Sequence, residues 1–172
     1  MGLFIAAVRW LSQVCGIIAM VLLAAALLVV CQLVVVRYGL GQSAIWQHEF
    51  VTFSLIGATF LGSPYVLLTR GHVNVDLLPL YLGGRMRITL ALLSSVISLV
   101  FCVAVAWAGF NLWREALVNN WRAETVWAPP LWIPYLSIPL GMGLLSLQYI
   151  ADILALLAGR EMPFGIADED RP

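Results

Sequence analysis

Lysine does not occur in this 172-residue chain, and charged residues of every kind make up only 10% of it. A soluble domain of ordinary composition carries about a quarter of its residues as charges, so that class is excluded. The nine basic residues, all arginine, are balanced by nine acids. No net charge and no basic aromatic patch draws the chain to nucleic acid. Cysteine is scarce too. Cys15, Cys31 and Cys102 form no CxxC pair and sit in apolar runs, where they read as small packing residues. His48 and His72 are 24 residues apart with an apolar run between them. Along a helix that is roughly 36 Å, which sets them at opposite membrane surfaces and excludes a haem held by both. No Cys/His/carboxylate cluster suits a metal, no Ser/His/Asp set suits acyl transfer, and no glycine-rich loop follows a strand. Neither a catalytic residue, a cofactor-binding residue nor a metal ligand is expected, and the chain is not read as an enzyme.

What the chain has instead is apolar length. Apolar residues make up 62% of it and the mean hydropathy is +0.97. A bilayer core of about 30 Å takes roughly 20 apolar residues per helix. Four runs meet that length, at about 11–36, 50–68, 88–110 and 132–157, with the arginines outside their central portions. They are apolar on all sides, as Ile17 to Val30 shows, rather than alternating as barrel strands do. The expected fold is therefore an all-α membrane protein of four transmembrane helices forming one domain. Arg9 before the first run and Ala24 to Ala26 within it suggest a cleaved signal. The run continues apolar to Val36, too long for a signal core, so a retained helix is expected. Met-Gly-Leu-Phe-Ile-Ala at the start lacks the Ser or Thr of a myristoylation signal.

Arginine placement orients the helices. Arg9, Arg70, Arg85, Arg87, Arg160 and Arg171 fall on one side, and Arg37, Arg114 and Arg122 on the other. The richer side is retained in the cytoplasm, so both termini are expected there, with loops 37–49 and 111–131 facing outward. Segment 74–86 is apolar between Asp76 and Arg85. It is expected to lie at the cytoplasmic interface, either as a short helix with Pro79 in its first turn and Gly83-Gly84 at its end or as an irregular connection. Loop 111–131 concentrates Trp113, Trp121 and Trp127, rings suited to lipid headgroups or to an external partner. Within the tail 160–172, the acidic segment Ile166 to Pro172 is expected to be disordered.

Ionisable groups in a bilayer are functional candidates because they are costly there. Gln32 and Gln148 are expected to hydrogen-bond to neighbouring helices. Asp152 lies roughly 8 Å along the axis from the end of the fourth run and pairs with Arg160, Arg85 or Arg87 on this reading. Small residues recur on single faces: Ser54, Ala58 and Gly62 in the second run, Ser94, Ser98, Cys102 and Ala106 in the third, Ser137 and Gly141 in the fourth. Such stripes let helices approach closely, within the chain or against a partner. Glu49, at the outer mouth of the second run beside Trp46, is placed to pair with Arg37.

Arg37-Tyr38, then Trp46-x-x-Glu49 opening the second run, Gly57 within it, and Arg70-Gly71-His72-Val73-Asn74-Val75-Asp76 closing it form one pattern across a single helix. Ile133-Pro134 followed by Ile138-Pro139-Leu140-Gly141 adds to it. The pattern resembles the small membrane subunit (DctQ type) of tripartite ATP-independent periplasmic (TRAP) transporters, over most of the chain. Asn74 stands where that family often has a basic residue. The resemblance implies a noncatalytic scaffold for a large multi-spanning permease subunit, in a sodium-driven importer of organic acids in the bacterial inner membrane. A periplasmic substrate-binding protein delivers the substrate, and the coupling sodium is expected on the large subunit. Arg37, Trp46 and Glu49 would then hold the outer hairpin, and Arg70, His72 and Asp76 the inner turn. Two other readings are a membrane anchor of a respiratory complex, which needs a haem or quinone site, and an autonomous small exporter, which needs a mid-membrane acid. The sequence supplies neither.

Overall fold

A computed structural model describes residues 2–43, 45–69 and 84–157. Four helices carry almost all of them: α1 (Gly2–Val34), α2 (Gln47–Leu68), α3 (Gly84–Val118) and α4 (Trp132–Leu157). Each is long and apolar enough to cross a membrane. Uninterrupted runs of branched and straight apolar side chains force this outcome, because only a helix satisfies every backbone group within its own segment in lipid. Among the described residues there is no strand, only one isolated bridge between Arg122 and Pro130.

Two helices run beyond the apolar stretches that announce them. At its end α1 passes into a wider π turn, Val35–Gly39, where the Leu40 N–H donates to the Val35 carbonyl at 3.2 Å. At the end of α3 the sequence turns polar after Phe110, yet the helix continues to Val118, so the outer loop is 119–131 rather than 111–131. Loss of hydrophobicity does not stop a helix; a cap does. Here Asn120 takes the left-handed conformation (φ 52°). The Trp121 N–H then donates to the Ala116 carbonyl at 3.0 Å and the Asn120 N–H to Leu117 at 3.4 Å, a Schellman pattern that satisfies two terminal carbonyls. The interfacial segment expected at 74–86 lies outside the described residues as far as 83, and from Gly84 the chain is already in α3.

The helices pack in the spatial order α1, α2, α4, α3, with α1 also touching α4 and α3 resting chiefly on α4. Glycine sets these distances. Gly16 of α1 lies under the Tyr65 ring, where a Cβ would collide with ring atoms. A Cβ on Gly62 would meet the Ala19 Cβ at 3.3 Å, and one on Gly57 the Leu22 Cδ1 at 3.0 Å. Between α3 and α4, a Cβ on Gly109 would stand 2.5 Å from the Ile138 Cγ2.

Contact between α2 and α4 rests on Pro64. Proline has no N–H, so the Phe60 carbonyl one turn earlier loses its helical donor. The Ser63 hydroxyl donates to it at 2.9 Å, and Gly141 of α4 packs directly on the same carbonyl, leaving no space for a Cβ. The buried core lies below this crossing. One cluster of it consists of Cys102, Met142 and Leu145, with Phe60, Leu67, Val105, Ala106 and Tyr149 packed around them.

Candidate subunit-interface site

Polar groups concentrate at the two ends of the bundle, and the ends differ. Near the terminal end, Ser12 of α1 and Gln148 of α4 are both fully buried. The Ser12 hydroxyl lies 3.0 Å from the Val8 carbonyl and 3.4 Å from the Gln148 Oε1, to either of which it can donate. The Gln148 Nε2 donates to the Asp152 Oδ1 at 3.1 Å. A glutamine inside an apolar bundle is stable only when such partners are in place. Gln148 thus ties α1 to α4 and also donates to Asp152 one turn on; the side chains of Arg85, Arg87 and Arg160, the expected partners of Asp152, lie outside the described residues. Gln32, on α1, is exposed and faces away from the bundle.

The other end carries the short connection between α3 and α4. Its backbone folds back on itself through Ala123 N–H to Pro129 carbonyl at 3.1 Å and Leu131 N–H to Trp121 carbonyl at 3.0 Å. Ala128 adopts a positive φ of 44° to make the return. This hairpin reaches across to α2: the rings of Trp127 and Trp46 meet edge to face at 6.4 Å, and Trp46 meets Phe50 likewise at 6.0 Å. Edge-to-face pairs of this kind place the positive ring edge on the negative face. Trp46 therefore joins the start of α2 to the hairpin.

Below Trp46 the first turn of α2 holds Gln47, His48 and Glu49. His48 is exposed, and its carbonyl accepts the Thr52 hydroxyl at 2.9 Å. Gln47 is only 5% exposed and its Oε1 has no hydrogen-bond partner. Both carboxylate oxygens of Glu49 are buried and likewise without one, as is the Trp113 indole N–H near the end of α3. Among the described residues these are the buried side-chain polar atoms left unpaired, and all lie at the hairpin end.

The expected Arg37–Glu49 pair is not formed. Arg37 sits in the π turn, which winds one residue wider than an α-helix and so shifts later side chains by about 100° around the axis. The guanidinium is exposed, whereas Glu49 turns its oxygens inward. The structure brings Trp46 and the hairpin together but leaves Arg37 outside that contact. Arg70, His72 and Asp76 lie outside the described residues. Ser54 and Ala58 are buried and Gly62 half-buried, with Gly62 against Ala19 of α1. Beside Ala58 and Gly62 an open groove of about 370 Å³ runs between α1 and α2, lined by groups such as Ala19, Leu23 and Val66. In α3, Cys102 is buried on α4, Ser98 and Ala106 half-buried and Ser94 exposed.

Sequence reasoning missed Ser12, Gln47 and the Gly16–Tyr65 contact. A serine in an apolar run, a polar residue inside the aromatic and charged pattern, and a lone glycine each carry too little signal on their own. Among the described residues no three His, Cys, Asp or Glu side chains come together.

Residues 26–159 match the family described as "Tripartite ATP-independent periplasmic transporters, DctQ component". The isethionate TRAP transporter permease protein DctMQ of Oleidesulfovibrio alaskensis is 26% identical over 128 residues, covering 74% of this chain and 19% of that protein. The C4-dicarboxylate TRAP transporter small permease protein DctQ of Vibrio cholerae is 22% identical over 148 residues, covering 74% and 64% of the two chains. That of Pseudomonas aeruginosa is 22% identical over 132 residues, covering 76% and 63%. The chain thus spans less than two thirds of the small permeases it matches and about a fifth of the DctMQ permease. No solved structure matches it. The match begins in the last third of α1, takes in α2, α3 and α4 whole and runs beyond the end of α4, and this multi-pass membrane protein belongs to the DctQ component family of TRAP transporters.

Proposed function

We propose that this chain is the small permease subunit of a TRAP importer of organic acids, a static scaffold against which a larger permease subunit works. The observation that carries the reading is the family match from the last turns of α1 through α4. The internal chemistry supports it. Gln148, the most enclosed polar side chain of α4, is spent on Ser12 and Asp152, and so is not offered to a passing substrate. Glycine contacts on Tyr65, Phe60 and Ile138 hold the helices at fixed separations. Rigid packing suits a part that stays still. The DctMQ relative, in which the matching segment is about a fifth of one permease chain, fits a small part beside a much larger one.

In this reading the large subunit binds both substrate and coupling sodium, a periplasmic binding protein delivers the substrate, and this chain is noncatalytic. Both termini then lie in the cytoplasm of a bacterial inner membrane and the hairpin end faces the periplasm, an orientation that the arginine bias supports. The test is copurification followed by reconstitution. Tagged chain should retain a large polytopic permease, and sodium-driven uptake into vesicles should need that permease, this chain and an added binding protein together. Transport by this chain alone would overturn the proposal.

A further inference from the structure

A carboxylate whose two oxygens are enclosed without a donor is strongly unfavourable relative to a paired one, and so calls for a partner from elsewhere. Glu49 is such a group. The nearby basic residues of the chain do not serve it: Arg37, Arg114 and Arg122 are all exposed. From this we propose that Glu49 is an assembly contact, held to accept an arginine guanidinium from the large permease subunit; the inference rests on the proposed function.

Several observations favour a guanidinium over a metal ion. A sodium or calcium ion needs about six oxygen ligands. Glu49 supplies two. Gln47, whose Oε1 is also unpaired, stands two residues earlier and hence about 200° around α2, so the two side chains leave the helix on opposite faces. A guanidinium needs only the two oxygens of one carboxylate, taken bidentately. The neighbouring surface suits it as well. Trp46 is one turn above Glu49 on the same face of α2 and contacts both Phe50 and Trp127, and planar cations stack on such rings. Trp46 and Trp127 are 37% and 45% exposed, so the aromatic surface above the carboxylate is open to a partner.

The experiment uses Glu49→Gln and Glu49→Arg, each made in the full chain and each read twice. Thermal unfolding of the isolated subunit in detergent reports internal pairing, and the dissociation constant for the purified large subunit reports assembly. Glu49→Gln should melt no lower than wild type, since no internal bond is lost, yet bind the large subunit about ten-fold or more weakly. Glu49→Arg should weaken binding further. An arginine of the large subunit whose change to glutamate restores binding to Glu49→Arg would identify the partner residue. Binding of Glu49→Gln within about two-fold of wild type would overturn the inference alone, as would a lower melting point of the isolated variant, which places the partner inside this chain. Failure of the wild-type chain to hold the large subunit would overturn the proposed function, and this inference with it.

Discussion

Replacing Gly141 by alanine adds one methyl group at the α2–α4 crossing, and its surroundings define the consequence. The new Cβ would overlap the Phe60 carbonyl and approach the Phe60 Cβ to 3.1 Å. A backbone carbonyl cannot rotate away as a side-chain tip can, so the two helices must separate locally. Overpacking of this kind costs about 1–3 kcal/mol, partly offset by up to about 1 kcal/mol from the better helix propensity of alanine. Gly143, two residues on in the same helix, is the internal control, because a Cβ added there would meet nothing within 4 Å. Gly143→Ala should be neutral or stabilising by up to about 1 kcal/mol. For a chain of this size about 1 kcal/mol corresponds to roughly 2–4 °C in Tm. Intrinsic tryptophan fluorescence during heating in detergent follows both variants. The expected result is a fall of several degrees for Gly141→Ala and no fall for Gly143→Ala. Equal shifts for the two would refute the argument that the Phe60 carbonyl sets the helix separation.

Three further outcomes follow from particular contacts. Ser12→Ala and Gln148→Leu should each destabilise the isolated chain, with a double-mutant cycle giving a coupling of about 0.5–1.5 kcal/mol from the α1–α4 tie; a coupling near zero would mean that the 3.4 Å contact contributes nothing. Arg37→Glu combined with Glu49→Arg should show no recovery over the single changes in thermal unfolding, since Arg37 is exposed and the Glu49 oxygens are unpaired; recovery would establish the ion pair that the structure lacks. Asn120→Gly should raise the melting temperature by about 1–3 °C and Asn120→Ala lower it, because the Schellman cap of α3 requires the left-handed conformation; equal effects would mean that the cap does not hold the end of α3.

Four membrane helices were legible because bilayer thickness converts directly into run length, and runs such as Ile17 to Val30 admit no other fold. The ends were less legible. Hydrophobicity gave out at Phe110, but backbone hydrogen bonding carried α3 to Val118, where Asn120 supplied the stop. The candidate residues divided in the same way. Trp46 and Glu49 stood out by their pattern, yet their surroundings come from the hairpin and from the other helices. Gln148 was expected to bond to a neighbouring helix, while Ser12, its partner 136 positions away, could not be picked from many small residues in an apolar run.

Composition and run length by themselves determined that lipid is the solvent and that the four long elements among the described residues are helices that can cross it. Those properties depend on each segment's exchange of water for hydrocarbon, which is local. Only the tertiary structure decided that Glu49 turns inward without Arg37, that Gly141 seats on the Phe60 carbonyl and that α3 rests chiefly on α4. Each of these depends on the rotation and depth of one helix relative to another, and in a chain apolar on every face the sequence pattern carries almost no signal for either.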